Sequence, residues 1–155
     1  SKGGSHRRYY GNLEYVIRLK DLWDDSKTNI SVRRGDREYY FRTAIGWSQV
    51  GNSQKSFRYT SHTVCGTATP TIYVKNEGWY SYILAFLNTK IAYEYLSAFN
   101  PTINLLTTDI CNIPLLESAM WKAKVKNLCL ENVKGSQKDW DSYETSWDFK
   151  RNPLV

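Results

Sequence analysis

The sequence predicts an α+β fold. Its N-terminal half is mostly β, a twisted sheet carrying a long basic loop, and its C-terminal half is helical. Three observations predict this. Short runs of β-branched and aromatic residues, bounded by turn residues, fill the first 75 positions. From Ile83 onward apolar residues recur at spacings of three and four. Between the first runs lies a polar stretch, Asp24 to Glu38, holding Lys27, Arg33, Arg34 and Arg37. A long polar segment inside a compact domain is more often functional than packed.

The expected strands follow in order: Leu13–Leu19, Tyr39–Arg42, Ile45–Val50, Ser56–Thr60 and Thr71–Lys75, with Gly51–Gln54 as a turn. The stripe Ile83, Leu84, Leu87, Ile91, Tyr95, Ala98 reads as two stacked helices broken at Asn88-Thr89, with Asn88 capping the second. Asn100-Pro101 ends that run, because proline disfavours helical geometry in the residue before it. Thr102 to Leu106 is extended, and Thr108-Asp109-Ile110 forms a short capped turn. Glu117 to Val133 forms a helix with Trp121, Val125 and Leu128 on one side, stopped by Gly135. A further short helix opens at Ser136. The expected division is a unit over 1–116 and a helical connector over 117–155, or both in one compact body.

Aromatic residues make up 15% and hydrophobic residues 41% of the 155 positions, enough apolar mass for a core and too much for a disordered chain. No apolar run reaches the roughly 18 residues of a membrane span. A cytoplasmic protein with reduced thiols is the expectation from three widely spaced cysteines and no secretory leader. The missing initiator Met suggests a piece of something longer. With only His6 and His62, a His-based metal site or a Ser-His triad has little to draw on. Glycine-rich nucleotide loops, HExxH and GxSxG are absent. Asn100-Pro101-Thr102-Ile103 lacks the second proline and the aromatic with which adenine methyltransferases hold a flipped base, so it reads as a helix-ending turn.

Charge gives the positive signal. Residues 1–75 hold 13 Lys or Arg against 6 Asp or Glu, a balance of +7, while residues 76–155 hold 8 against 9, a balance of −1. Eight of the nine Arg lie in the first half. Arginine offers a planar fork that matches phosphate and the guanine edge, so this half points to nucleic acid. Arginines also interleave with aromatics at Arg7–Tyr10, Arg37–Arg42 and Phe57–Tyr59.

Four stretches resemble the BREX phage-defence adenine-specific DNA methyltransferases of the PglX type, relatives of fused restriction-modification methyltransferases. Lys2-Gly3-Gly4 followed by Arg8-Tyr9-Tyr10-Gly11-Asn12 is similar to that family's K-G-G…R-K-W-Y-G-N. Glu38–Phe41, Ile45–Ser48 and Phe57–Tyr59 resemble its Y-Y-F…I-T-W-S…F-R-Y run. Leu84–Lys90, Asn100–Asn104, Asp109-Ile110 and Asn112–Pro114 resemble L-G-L-L-N-S-K, N-P-T-L-N-F and D-I-x-N-I-P. Asp139–Phe149 is very similar to D-W-D-S-F-E-T-S-W-D-F. Tyr9 stands where the family has Trp. The loop 24–38 and the stretch 65–70 have no firm counterpart.

The resemblance implies a target-recognition region downstream of a methyltransferase core. The parent would transfer a methyl group from S-adenosylmethionine to adenine N6, with the base out of its stack. The implied partners are double-stranded DNA, the upstream methyltransferase domain and other phage-defence proteins. Candidate DNA-binding residues are Arg7, Arg8, Arg33, Arg34, Arg37, Lys55 and Arg58; no catalytic, cofactor or metal residues are expected in this stretch. A protein-docking module is the competing reading, and single-stranded RNA binding a third. Since the stretch carries no cofactor motif, the chain by itself should neither bind S-adenosylmethionine nor transfer methyl groups. Calorimetric binding of the methyl donor would overturn that expectation.

Overall fold

In the computed structural model, residues 3–20, 37–50, 55–64, 66–116 and 119–154 are described. Three strands, β1 (Ala44–Trp47), β2 (Phe57–Thr60) and β3 (Thr71–Ile72), form an antiparallel sheet in the order β2-β1-β3. Helices α1 (Tyr80–Leu87), α2 (Lys90–Phe99), α3 (Thr107–Cys111) and α4 (Ala119–Trp140) follow. The strands-then-helices order is the α+β arrangement expected.

All four residues of β1 are buried. Ile45 stands opposite both Tyr59 and Ile72, so the central strand is aligned from both sides. Gly46 permits this crowding, since a Cβ there would meet Thr60 Cγ2 at 3.1 Å and Thr69 Cγ2 at 3.4 Å. The core joins Ile45, Trp47 and Phe57 of the sheet to Leu84, Leu87, Leu96, Leu105, Ile110 and Cys129. Trp47 buries its ring and donates its indole N–H to Leu105 O at 2.9 Å, which fixes the turn after α2 against the sheet.

Asn88 does not cap α2. Thr89 does, its Oγ accepting from Ala92 N at 3.2 Å. The Asn88 carboxamide instead accepts from Phe57 N at 3.1 Å and donates to Phe57 O and Leu84 O, both at 3.0 Å. Phe57 stands opposite Trp47 at the end of the β1–β2 ladder, and a side-chain amide completes its pairing from the helix side.

Several sequence expectations are corrected. Residues 13–18 form no strand, because Tyr9 already pairs in parallel with Arg58 and occupies that edge of β2. Residues 39–42 form no strand either. A 3₁₀ turn, Arg37–Tyr39, leads to Phe41 at φ 64°, a left-handed value that breaks an extended run. The expected strand over 71–75 shortens to Thr71–Ile72. Gly135 does not stop the last helix, which runs on through the segment expected as a separate helix. A mid-helix glycine costs about 1 kcal/mol relative to alanine. Docking of the helix end at Trp140, which packs against Gly11 and Arg7, offsets that cost.

The inward face of α4 also differs from expectation. It follows Val125, Cys129, Val133 and Trp140, while Trp121 is 48% and Leu128 50% exposed. The small Cys129 thiol lies against the backbone of Ala85 on α1, so the two helices meet closely there and the larger side chains turn outward. Burial pushes the Cys129 thiol up to about 11, which keeps it neutral and unreactive.

Asn88→Ala should cost roughly 1–3 kcal/mol in urea denaturation, the penalty of leaving a buried amide of Phe57 without its partner. A loss below about 0.5 kcal/mol, typical of surface positions, would show that the amide holds nothing together.

Candidate nucleic-acid interface

Four pieces of chain converge on a cleft of about 640 Å³. They are the N-terminal segment at Gly4–His6, the margins of β1 and β2, the α2 face at Tyr93 and Ser97, and the turn from Asn100 to Leu105. The turn is held against the sheet by the Val50–Asn104 bridge and by Leu105 N donating to Gln49 O at 2.8 Å. The N-terminal segment is held by Asn12, whose Nδ2 donates to Ser5 O at 3.0 Å, and by Tyr9, which exchanges backbone hydrogen bonds with β2.

Asn100 is the centre of the turn. Its Oδ1 accepts from Thr102 N at 3.0 Å and from Thr102 Oγ1 at 2.6 Å; its Nδ2 donates to Asn104 O and Asp109 Oδ2. Both donors and both lone pairs of the carboxamide are used inside the turn, so no capacity remains for a base edge. The helix-ending reading of this motif therefore has a direct physical basis.

Of the seven predicted residues, Lys55, Arg8 and Arg58 gather around His6. Lys55 lines the cleft and donates to Asn100 O at 3.1 Å. Arg8 lies on a second, shallower groove that Arg7 and Asp139 also line, and His6 lines both hollows. Arg58 is 0% exposed, so it meets no solvent-borne ligand directly. Both its terminal nitrogens donate to Ser48 Oγ at 3.4 Å, which sets its charge behind the cleft wall. Arg7 is turned to the last helix: it pairs with Asp139 at 3.0 Å, and its guanidinium carbon lies 4.8 Å from the centre of the Trp140 ring. Arg37 is exposed in its 3₁₀ turn and does not line the cleft. Arg33 and Arg34 lie outside the described residues.

Sequence reasoning passed over the rest of the cleft. Ser5, Ser48, Ser56, Tyr93, Ser97 and Thr102 contribute hydroxyl-bearing side chains to its lining, and none of the described lining residues is acidic. These positions are scattered across nearly a hundred residues, so no local motif could announce them.

The electrostatics follow from this gathering. Burial, then the charges of Arg8 and Arg58, hold the His6 imidazole below its ordinary value. Burial likewise lowers the Lys55 ammonium, with the charge of Asp109 opposing. No group of three or more His, Cys, Asp or Glu suited to a metal ion occurs among the described residues, and none of their helices is long and apolar enough to cross a membrane.

The His6 shift has a signed consequence. The unfolded chain binds a proton at His6 near pH 6.5, whereas the folded chain resists it. Stability should therefore fall as pH drops through about 6.5, and the loss should level off below the lowered folded value. His6→Gln should remove this part of the pH dependence in urea unfolding compared at pH 7.5 and 5.0. An identical pH dependence in the variant would show that neither burial nor the charges of Arg8 and Arg58 lower this group in the folded chain.

Comparison with known proteins follows the same lines as the motifs. No protein-family profile matches the chain. Over an alignment of 163 positions that takes in the whole chain, it is 28% identical to the adenine-specific methyltransferase PglX of Lacticaseibacillus casei (strain Zhang). Over 158 positions it is 27% identical to the adenine-specific methyltransferase BrxX of Escherichia coli O9:H4 (strain HS). The chain spans 13% of the length of each of these curated relatives. From end to end it is thus homologous to one segment of the BREX adenine-specific methyltransferases PglX and BrxX, the group its motifs resemble.

Proposed function

We propose that the chain is the duplex-DNA recognition segment of an S-adenosylmethionine-dependent adenine-specific DNA methyltransferase, with methyl transfer carried out elsewhere in the parent protein. The observation that carries this reading is that Lys55 and His6 line one hollow and His6, Arg7 and Arg8 the adjoining one, where Asp139 pairs with Arg7, with the buried Arg58 behind Ser48, in the half of the chain whose charge balance is +7. Phosphate contacts there would set the register of the domain on DNA, and side chains beyond them would read base edges. Arg33, Arg34 and Arg37, in the polar stretch between the N-terminal segment and the sheet, are proposed to border the duplex, at least one of them reading a base and the others contacting phosphates. Arg7 belongs to the internal scaffold in this reading, since its guanidinium is held by Asp139 and Trp140.

A second reading, docking onto another protein surface, draws on α2. Ile91, Tyr95 and Phe99 are exposed at spacings of four, so they form one apolar stripe, and the last two rings lie 6.0 Å apart. The two readings separate in one experiment. Fluorescence anisotropy of the chain with a labelled duplex should show binding that weakens steeply with salt and exceeds binding to the corresponding single strand. Arg8→Ala should weaken it, whereas Lys124→Ala should not, since that ammonium sits over the Trp121 ring on α4. Indifference of the chain to duplex DNA would favour the docking reading.

A further inference from the structure

We propose that the cleft beneath Lys55 is a seat for one phosphate group, and that in the DNA-binding reading above, on which this rests, the group is a phosphodiester of the duplex backbone rather than a base. The lining supplies hydrogen-bond donors and a cation, none of its described residues is acidic, and the carboxylate whose charge reaches Lys55, Asp109, is engaged by Asn100 Nδ2. Lys55 has three N–H donors and spends one on Asn100 O at 3.1 Å, and among the described residues it makes no ion pair. The turn carbonyl thus aims the ammonium without neutralising it.

Ser48 gives the seat its second anchor. Its Oγ accepts from both terminal nitrogens of Arg58 at 3.4 Å, while its own O–H reaches Gly4 O only at 3.5 Å. That outgoing bond is long, so the hydroxyl can turn to a phosphate oxygen at little cost. The contacts from Arg58 are also long, so what the buried guanidinium lends the seat is mainly its positive charge directly behind the hydroxyl. Arg58 therefore acts on the ligand through Ser48 and is a positioning residue. This accounts for a fully buried Arg on β2, where an apolar side chain would pack more simply. A base would instead need paired donors and acceptors, and the one carboxamide among the described lining residues, Asn100, is consumed by its own turn.

The test uses the whole 155-residue chain, Lys55→Gln and Ser48→Ala, each first checked for an unchanged melting transition. Duplex affinity is measured over a series of salt concentrations. Lys55→Gln should reduce the magnitude of the salt slope by about one and weaken unrelated duplex sequences equally. Ser48→Ala should weaken binding severalfold with the slope unchanged, because it removes a neutral donor. In parallel, inorganic phosphate is titrated into the wild-type chain and followed by NMR at the amides of Ser48, Lys55 and Ser56. Duplex binding with an unaltered slope in Lys55→Gln overturns the seat and leaves the DNA reading standing. Phosphate shifts at these amides without duplex binding uphold the seat for a free anion and overturn the DNA reading. Neither shifts nor duplex binding overturns both.

Discussion

Asn88 sits where the first two helices separate, and its carboxamide is the hinge on which the two halves of this molecule meet. It bonds both the N–H and the C=O of Phe57 and also the carbonyl of Leu84 one turn back. Phe57 lies at the end of β2 that leads down to Ser56 and Lys55, so the same amide that closes the sheet also fixes the approach to the cleft. A buried amide with three satisfied bonds tolerates little displacement, since each group left unpaired costs its full desolvation. The position of α1 relative to the sheet, and of α2 beyond it, follows from that constraint.

A second constraint ties the ends of the chain together. The N-terminal strap pairs with β2 through Tyr9 and meets the end of α4 through Arg7. Gly11 makes this approach possible: at φ 123°, a Cβ there would stand 2.7 Å from Arg7 Cδ and 3.0 Å from the Trp140 ring. Tyr9 and Asn12 adopt left-handed backbone at φ 66° and 60° beside it. Non-glycine residues persist in that region when their surroundings hold them there. Here the strap's pairing with β2, the Asn12 bond to Ser5 and the packing around Trp140 do so, and the result is to present Gly4, Ser5 and His6 at the cleft.

The arginines illustrate how one residue type divides its labour. Arg7 joins two parts of the scaffold at the wall of an open groove, Arg8 lines that groove exposed to solvent, and Arg58 is buried behind Ser48. Composition treats these three alike, and a simple charge map would assign them one role. Their surroundings separate them: a carboxylate and aromatic rings for the first, solvent for the second, a hydroxyl and the sheet for the third. Much of the apolar surface of α2 and α4 remains exposed, notably at Ile91, Phe99, Met120 and Trp121. This is consistent with a chain that spans 13% of its relatives' length.

The α+β order, two of the strands, the break at Asn88-Thr89 and the end of α2 at Asn100-Pro101 were legible in the sequence, because each rests on local preferences or on the 3.6-residue period. The kinship with adenine-specific methyltransferases was legible too, because Asp139–Phe149 and the other motifs are contiguous in the chain. What needed the tertiary structure depends on contacts distant in sequence. Leu13–Leu19 has strand-like composition, but Tyr9 already occupies the outer edge of β2, and Gly135 stays helical because docking at Trp140 outweighs a local preference. The inward face of α4 was chosen by the close fit of Cys129 against Ala85, which amphipathic spacing alone cannot distinguish from a neighbouring stripe. The cleft is the extreme case. Its hydroxyls come from residues as far apart as Ser5 and Thr102, and a cleft lined by single side chains of separate elements exists only once the chain has folded and brought them together.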